Sequence, residues 1–354
     1  MERPRLFYHS SSTQKIRGEK MIGTEECFSS MIEDYRRKSC NHLFAIAARD
    51  GSKGDRLKIG YLDRAGHFLI PPKFDEGTKF NEGLAAVKLR GKWGFINEAG
   101  EFQIQPSFPS RSVFTEGLAR MIKKGKWGFI DRNGGLAIDY KFDQSFDFSE
   151  GLAAVQVGNA YGFINHNGIE VIPPTFEDAR SFSEGLAAVK SGDAWGYIEP
   201  SGRTAIPPQF RTEDFKVALA FIGGLARVPI HGKFGFINRQ GELVIPPRFD
   251  LAGPYSEGVA CVEFDEAFGY INESGVLTIA ARFEYARDFR EGLARVKIGN
   301  MYGFINHQGD IAIPLSFIAA KDFEGGLCYV ETLKDVGYIS SSGEFVWKRS
   351  YAAR

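Results

Sequence analysis

The stretch GKWGFINEAGEFQIQP, Gly91 to Pro106, has a near copy in GKWGFIDRNGGLAIDY, Gly125 to Tyr140. The shared core is an aromatic-Gly dyad followed by Phe-Ile and, four residues on, another Gly. Working outward, the dyad glycine recurs at Gly60, Gly94, Gly128, Gly162, Gly196, Gly235, Gly269, Gly303 and Gly337. Every step is 34 residues except the 39 between Gly196 and Gly235. A fixed period of this length marks a repeat architecture, and it decides the fold before any single residue does. A second signature, aromatic-x-x-Gly-[Leu/Val], precedes units two to nine, beginning at Phe80 and Gly83.

Each unit predicts three short strands. Leu84 to Lys88 and Lys92 to Ile96 are separated by a two-residue hairpin signal, which in sister units is Gly158-Asn159, Gly192-Asp193 or Gly299-Asn300. Gly and Asn tolerate the positive φ of such turns. Asn97 to Gly100 carries type I turn chemistry, Asn at the first position and Gly at the fourth. The third strand, as at Val171-Ile172, is expected to stop at Pro-Pro or to present a free edge there, because proline cannot donate to a ladder. Both hairpin strands are apolar at successive positions, so both faces are buried, and neighbouring repeats must cover them about 10 Å away. The fold class is therefore all-β: tandem three-stranded antiparallel units stacked face to face, β-propeller-like, with an open superhelical array as the alternative. The repeat pattern does not fix closure.

These blocks, KWGFIN, EGLA and IPP-x-F, resemble WG repeats, also called KWG repeats, found mostly in bacteria. The resemblance covers residues 43 to 347 in nine copies. It implies a β-rich architecture and an interaction role, and no shared catalytic residues. Ile59 and Val336 depart from the aromatic of the dyad, and Asp139-Tyr140 and Ala280-Ala281 replace Pro-Pro.

The dyad residues Trp93-Gly94, Trp127-Gly128, Tyr161-Gly162, Trp195-Gly196, Phe234-Gly235, Phe268-Gly269 and Tyr302-Gly303 are read as building blocks. Tyr, Phe, Ile and Val substitute for Trp, so no indole N–H is required. The aromatic is expected to be buried between sheets, with Gly admitting a neighbouring side chain. The recurring Glu (Glu82, Glu116, Glu150, Glu184, Glu257, Glu291) is read as a turn acceptor rather than a carboxylate ring. Gly223 and Gly325 replace it twice.

Two segments escape the repeat. Residues 1–42 form an N-terminal extension in which Thr24 to Lys38 reads as an amphipathic helix, either capping the first repeat or docking a partner. Residues 43–354 form the repeat domain, with an insertion at 211–220. There Phe215, Val217 and Leu219 alternate with Asp214 and Lys216, which predicts an extra strand able to pair with a partner. We take Asp214, Phe215, Lys216, Val217 and Leu219 as candidate partner-binding residues.

Lys+Arg and Asp+Glu both number 44, so the formal net charge is zero, which argues against general nucleic-acid or membrane-surface binding. The four cysteines, Cys27, Cys40, Cys261 and Cys328, have neither zinc nor disulfide spacing and read as reduced cytoplasmic thiols. His166 and His307 occupy equivalent turn positions and read as solvated residues rather than ligands. No nucleophile–base pair, metal triad or phosphate loop emerges, so no cofactor is expected. The sequence thus predicts a non-catalytic protein–protein interaction scaffold, with a glycan- or surface-binding module as the alternative and a propeller-type enzyme as the third reading.

Overall fold

The structure, a computed structural model, describes residues 43–49, 56–211 and 220–351. The helix read at Thr24 to Lys38 lies outside them. The described residues form nine antiparallel sheets, or blades, spanning 44–74, 76–108, 114–142, 144–176, 178–211, 226–249, 251–283, 285–317 and 319–350. Among the described residues there is no helix.

The two-residue hairpins form as read. Val157 pairs with Ala160 around Gly158-Asn159, with positive φ on Gly158 alone, as a type II′ turn requires. In the sister turn Arg90 and Gly91 both have positive φ, the type I′ form. Asn97 makes the expected turn: its carbonyl accepts from Gly100 N at 2.9 Å, and its Oδ1 accepts from Ala99 N and Glu101 N.

Two expectations need correction. Seven blades carry a fourth strand, only two residues long in six of them, laid on the edge of the first predicted strand; blades one and six have three strands. The segment read as irregular linker supplies it, since a short pairing satisfies backbone groups that would otherwise face the ring interior. Second, of the two readings of Pro-Pro, the free edge holds and the strand end does not. The pair lies inside strands such as Leu243–Phe249 (LVIPPRF). Trp93 pairs with Phe108 and Phe95 with Ile104, so four steps of the third strand oppose two of the second. Prolines are tolerated in such a bulge, on an outer edge strand. The bulge also explains the dyad glycine: a Cβ on Gly94 would stand 2.5 Å from Ile104 O and 2.7 Å from Pro106 N. What approaches is the backbone of the same sheet, not a neighbour's side chain.

The core is divided into nine apolar clusters, each between adjacent blades. Trp93 packs with Phe114, Ala119 and Met121 of the next blade, and Trp195 with Phe221, Ala226 and Val228. The ninth cluster joins last to first: Phe44, Ile46 and Leu62 with Leu327, Tyr329, Tyr338 and Trp347. The stack therefore closes into a nine-bladed propeller, and the open array is excluded.

Candidate functional site

The insertion residues Asp214, Phe215, Lys216, Val217 and Leu219 lie outside the described residues. At their border, Arg211 Nη1 stands 3.4 Å from Asp193 Oδ2. Within the described residues, one break in repeat symmetry lies at the seam between the last and first blades.

Most repeated polar groups of the ring's inner wall are consumed between blades. Each Asn/Ser-Glu-Gly-Leu turn is a type I′ hairpin: Asn81 and Leu84 exchange both backbone bonds, at 2.9 and 3.0 Å, and Glu82 and Gly83 have φ of 50° and 75°. A glutamate at positive φ is strained. What the side chain reaches explains it. Glu82 accepts from Glu116 N at 2.5 Å and Gly117 N at 3.0 Å, in the turn of the next blade. Glu184 accepts from Gly223 and Gly224, and Glu291 from Gly325 and Gly326. Glu116, Glu150 and Glu257 do the same to Gly151, Gly185 and Gly292. The glutamate is a turn acceptor as read, but for the neighbour's turn. Alongside it Ser149, Ser183 and Ser256 donate to Phe182 O, Phe221 O and Phe289 O of the following blade. His166 and His307 are not simply solvated: each stacks on a phenylalanine (Phe148, Phe289) with Nε2 3.1 or 3.0 Å from Glu116 or Glu257.

A third tie has two chemical versions. Where the first long strand carries Arg, as at Arg120 and Arg227, the guanidinium donates to the next blade's inner carbonyl, Ser145 O or Ala252 O. Arg120 also meets Asp147 at 2.8 Å, and Arg295 meets Asp322 at 3.2 Å. Where a small residue stands there, a cross-strand Tyr does the work: Tyr61 donates to Thr78 O and Tyr270 to Arg287 O. The Tyr197 hydroxyl has no hydrogen-bond partner among the described residues. Asp288, opposite Cys261 rather than an Arg, has its carboxyl pushed upward by burial, opposed by Arg227, Arg290 and Arg287.

The dyad aromatics divide. Trp93, Trp195 and Phe234 are buried, while Trp127, Tyr161, Phe268 and Tyr302 are half-buried, correcting the uniform burial expected. Cations cover several: Arg120 over Trp127 at 5.3 Å and Arg180 over Trp195 at 4.8 Å.

At the seam the wall opens. Blade one has no inner strand among the described residues, and Leu43, Phe44 and Ala45 line a cavity of about 570 Å³. Leu43, Ala45, Ile59, Tyr329 and Tyr338 form an apolar floor, and Lys79, Glu82, Lys321 and Glu324 the rim. Lys79 Nζ meets Glu324 at 2.6 Å across the mouth, with both side chains well exposed. An adjoining cavity of about 600 Å³ continues past Arg290, Arg295 and Asp322. Sequence reading missed this site. The available signal was Phe44, which stands in a column otherwise holding Ala85, Ala119, Ala153, Ala187, Ala226, Ala260, Ala294 and Cys328. Among the described residues, no group of three or more His, Cys, Asp and Glu is disposed to hold a metal ion.

The family model described as WG containing repeat matches residues 59–93, 93–127, 127–159, 161–193, 195–234, 234–266, 268–302 and 302–332. No curated protein matches. Among solved structures, a eukaryotic initiation factor is similar over 88% of this chain and 96% of that one, with TM-score 0.64 and 11% identity, a likeness of fold alone. Hsv2p of Kluyveromyces lactis is 10% identical over 63% of this chain and 89% of that one, with TM-score 0.37. Apo AztD from Citrobacter koseri is 12% identical over 79% and 94%, with TM-score 0.37.

Proposed function

Because the chain belongs to the WG-containing repeat family, we propose that it is a non-catalytic protein–protein interaction scaffold. The observation that carries this reading is the contrast along the inner wall. The recurring Glu, Ser and Arg groups are spent holding blade to blade, whereas among the described residues the seam presents a strand edge over an apolar floor with a charged rim. A strand edge recognises another backbone, which is a protein's chemistry. A glycan platform would need open aromatic faces, and the dyad aromatics are buried or half-buried, several under a cation. The insertion at 211–220 is proposed as a second contact surface. The scaffold works in a reducing compartment, where buried thiols such as Cys261 and Cys328 stay free.

The test is capture from the native host on the immobilised full chain, followed by calorimetry with the captured protein purified. A direct complex with a dissociation constant in the micromolar range or tighter, about 8 kcal/mol or more of binding free energy, supports the reading. Retention of glycans on an array, with no protein binding directly, overturns it.

A further inference from the structure

We propose that the cavity on the inner wall of blades eight and nine binds a phosphate monoester, held by Arg290 and Lys321. The inference goes beyond the scaffold reading and stands or falls separately from it.

It starts from one column of the repeat. In four blades the residue before the clasp Glu is Asn81, Ser149, Ser183 or Ser256, and its side chain ties two blades together. Asn81 donates to Phe114 O at 2.6 Å, Ser149 to Phe182 O at 2.8 Å, Ser183 to Phe221 O at 2.6 Å and Ser256 to Phe289 O at 2.7 Å. Blade eight places Arg290 there, and among the described residues Arg290 makes no such tie. A short side chain that joins blades is exchanged for a long, exposed cation that joins nothing. Arg290 lines a cavity of about 600 Å³ instead. Lys321 lines the same cavity. Its amide donates to Tyr329 O as Thr78 N donates to Ala86 O, so a cation stands where blade two has a threonine. Its Nζ lies 5.4 Å from the centre of the Tyr329 ring.

The other charges of the cavity are already paired. Arg295 meets Asp322 at 3.2 Å, and Lys79 meets Glu324 at 2.6 Å. Glu257 accepts from Gly292 N at 3.0 Å and lies 3.0 Å from His307 Nε2. Glu291 accepts from Gly325 N at 2.6 Å and Gly326 N at 2.7 Å. The four cations and four carboxylates of the lining cancel formally, yet each carboxylate faces a donor of the protein. Among the described residues Arg290 and Lys321 form no ion pair, although the Asp288 carboxyl feels the charge of Arg290.

Two unpaired cations therefore share one polar cavity. A guanidinium offers two parallel N–H donors to a single anion, and an ammonium adds a compact charge. A carboxylate would balance one of the two. A phosphate monoester carries about two negative charges at neutral pH, with three acceptor oxygens, and balances both. Phe323 is the one apolar residue of the described lining, so the carbon side of the ester finds little to grip. The site reads the phosphate itself, whether the ester is a free small molecule or a partner's side chain.

The probes are O-phosphoserine, the pentapeptide Gly-Gly-phosphoserine-Gly-Gly and its unphosphorylated form. They are titrated calorimetrically, at neutral pH and fixed ionic strength, against the full chain and its Arg290→Ser and Lys321→Thr variants. Each variant installs a sister blade's residue, and Arg290→Ser restores the donor to Phe323 O, so its melting temperature should hold or rise. The unmutated chain should bind both phosphorylated probes at least tenfold more tightly than the unphosphorylated peptide, and each variant should weaken that binding at least tenfold. Tighter binding of the phosphopeptide than of O-phosphoserine assigns the ester to a partner protein; the reverse assigns it to a free small molecule. Absence of binding of either phosphorylated probe to the unmutated chain overturns the proposal. So does undiminished binding in either variant once its melting curve shows it folded.

Discussion

Phe44 and Tyr338, 294 positions apart in the sequence, close the ring: their rings lie 5.4 Å apart and the Tyr338 hydroxyl donates to Ala45 O at 2.9 Å. Among the described residues no strand is exchanged between first and last blades. Among the described residues the seam is held by ninth-cluster packing, by this bond and by the Lys79–Glu324 ion pair. Phe44→Ala should therefore destabilise the chain by about 3–5 kcal/mol, as a buried aromatic truncation. Tyr338→Phe should cost about 1 kcal/mol, the net worth of one hydrogen bond. Urea denaturation of the two variants checks both, and a Phe44→Ala loss below that of Tyr338→Phe would mean that the seam contributes little.

The clasp glutamates set bond against strain. Glu184 sits at φ 52° and accepts from two amides of the next turn. Glu184→Ala keeps the strain and loses both bonds, and should cost about 1–2 kcal/mol after allowance for partial exposure. Glu184→Gly also loses both but relieves about 1 kcal/mol of backbone strain. The glycine variant should be the more stable of the two, as Gly223 and Gly325 suggest by occupying this position with φ of 67° and 64°. Guanidinium melts of the pair read the difference directly, and equal midpoints would show that the strain is not significant.

Burial ranks the dyad tryptophans. Trp195 is 5% exposed and Trp127 is half-buried. Trp195→Ala should cost about 3–5 kcal/mol and Trp127→Ala about 2 kcal/mol. Gly128→Ala should exceed Trp127→Ala, because its Cβ would stand 2.6 Å from Ile138 O, a backbone atom fixed in the bulge. Calorimetric melting temperatures in that order confirm the assignment; the reverse order would mean that the bulge relaxes freely.

Asp288 gives a pH signature. Burial raises its folded value, so between its unfolded and folded values the folded chain holds the extra proton, and stability falls as pH rises through that window. Asp288→Asn lacks the ionisation. It should match or exceed the unmutated chain at neutral pH, with the difference vanishing below about pH 4, where the unfolded carboxyl is protonated too. Melting temperatures across pH 3 to 8 measure it. A deficit in the variant that widens toward neutral pH would show instead that ionised Asp288 stabilises the ring.

The sequence by itself determined the blade. Glycine and asparagine at fixed offsets set the hairpins, and Asn97 and its sisters the second turn, because positive φ and side-chain-to-backbone bonds act within four or five residues. Doubly apolar strands dictated stacking, and the family resemblance followed from the same columns. Three features were decided only in three dimensions. The clasp glutamate looks like a local turn residue, since its acceptor role is exercised one repeat away. Pro-Pro reads as a strand end until the bulge shows the strand continuing beyond it. Closure depends on Phe44 meeting Tyr338 from the opposite end of the chain. The physical reason is common to all three: local backbone preferences repeat every 34 residues and are legible in any one unit. The angle accumulated over nine packed interfaces belongs to no single unit, and it brings the first sheet onto the last.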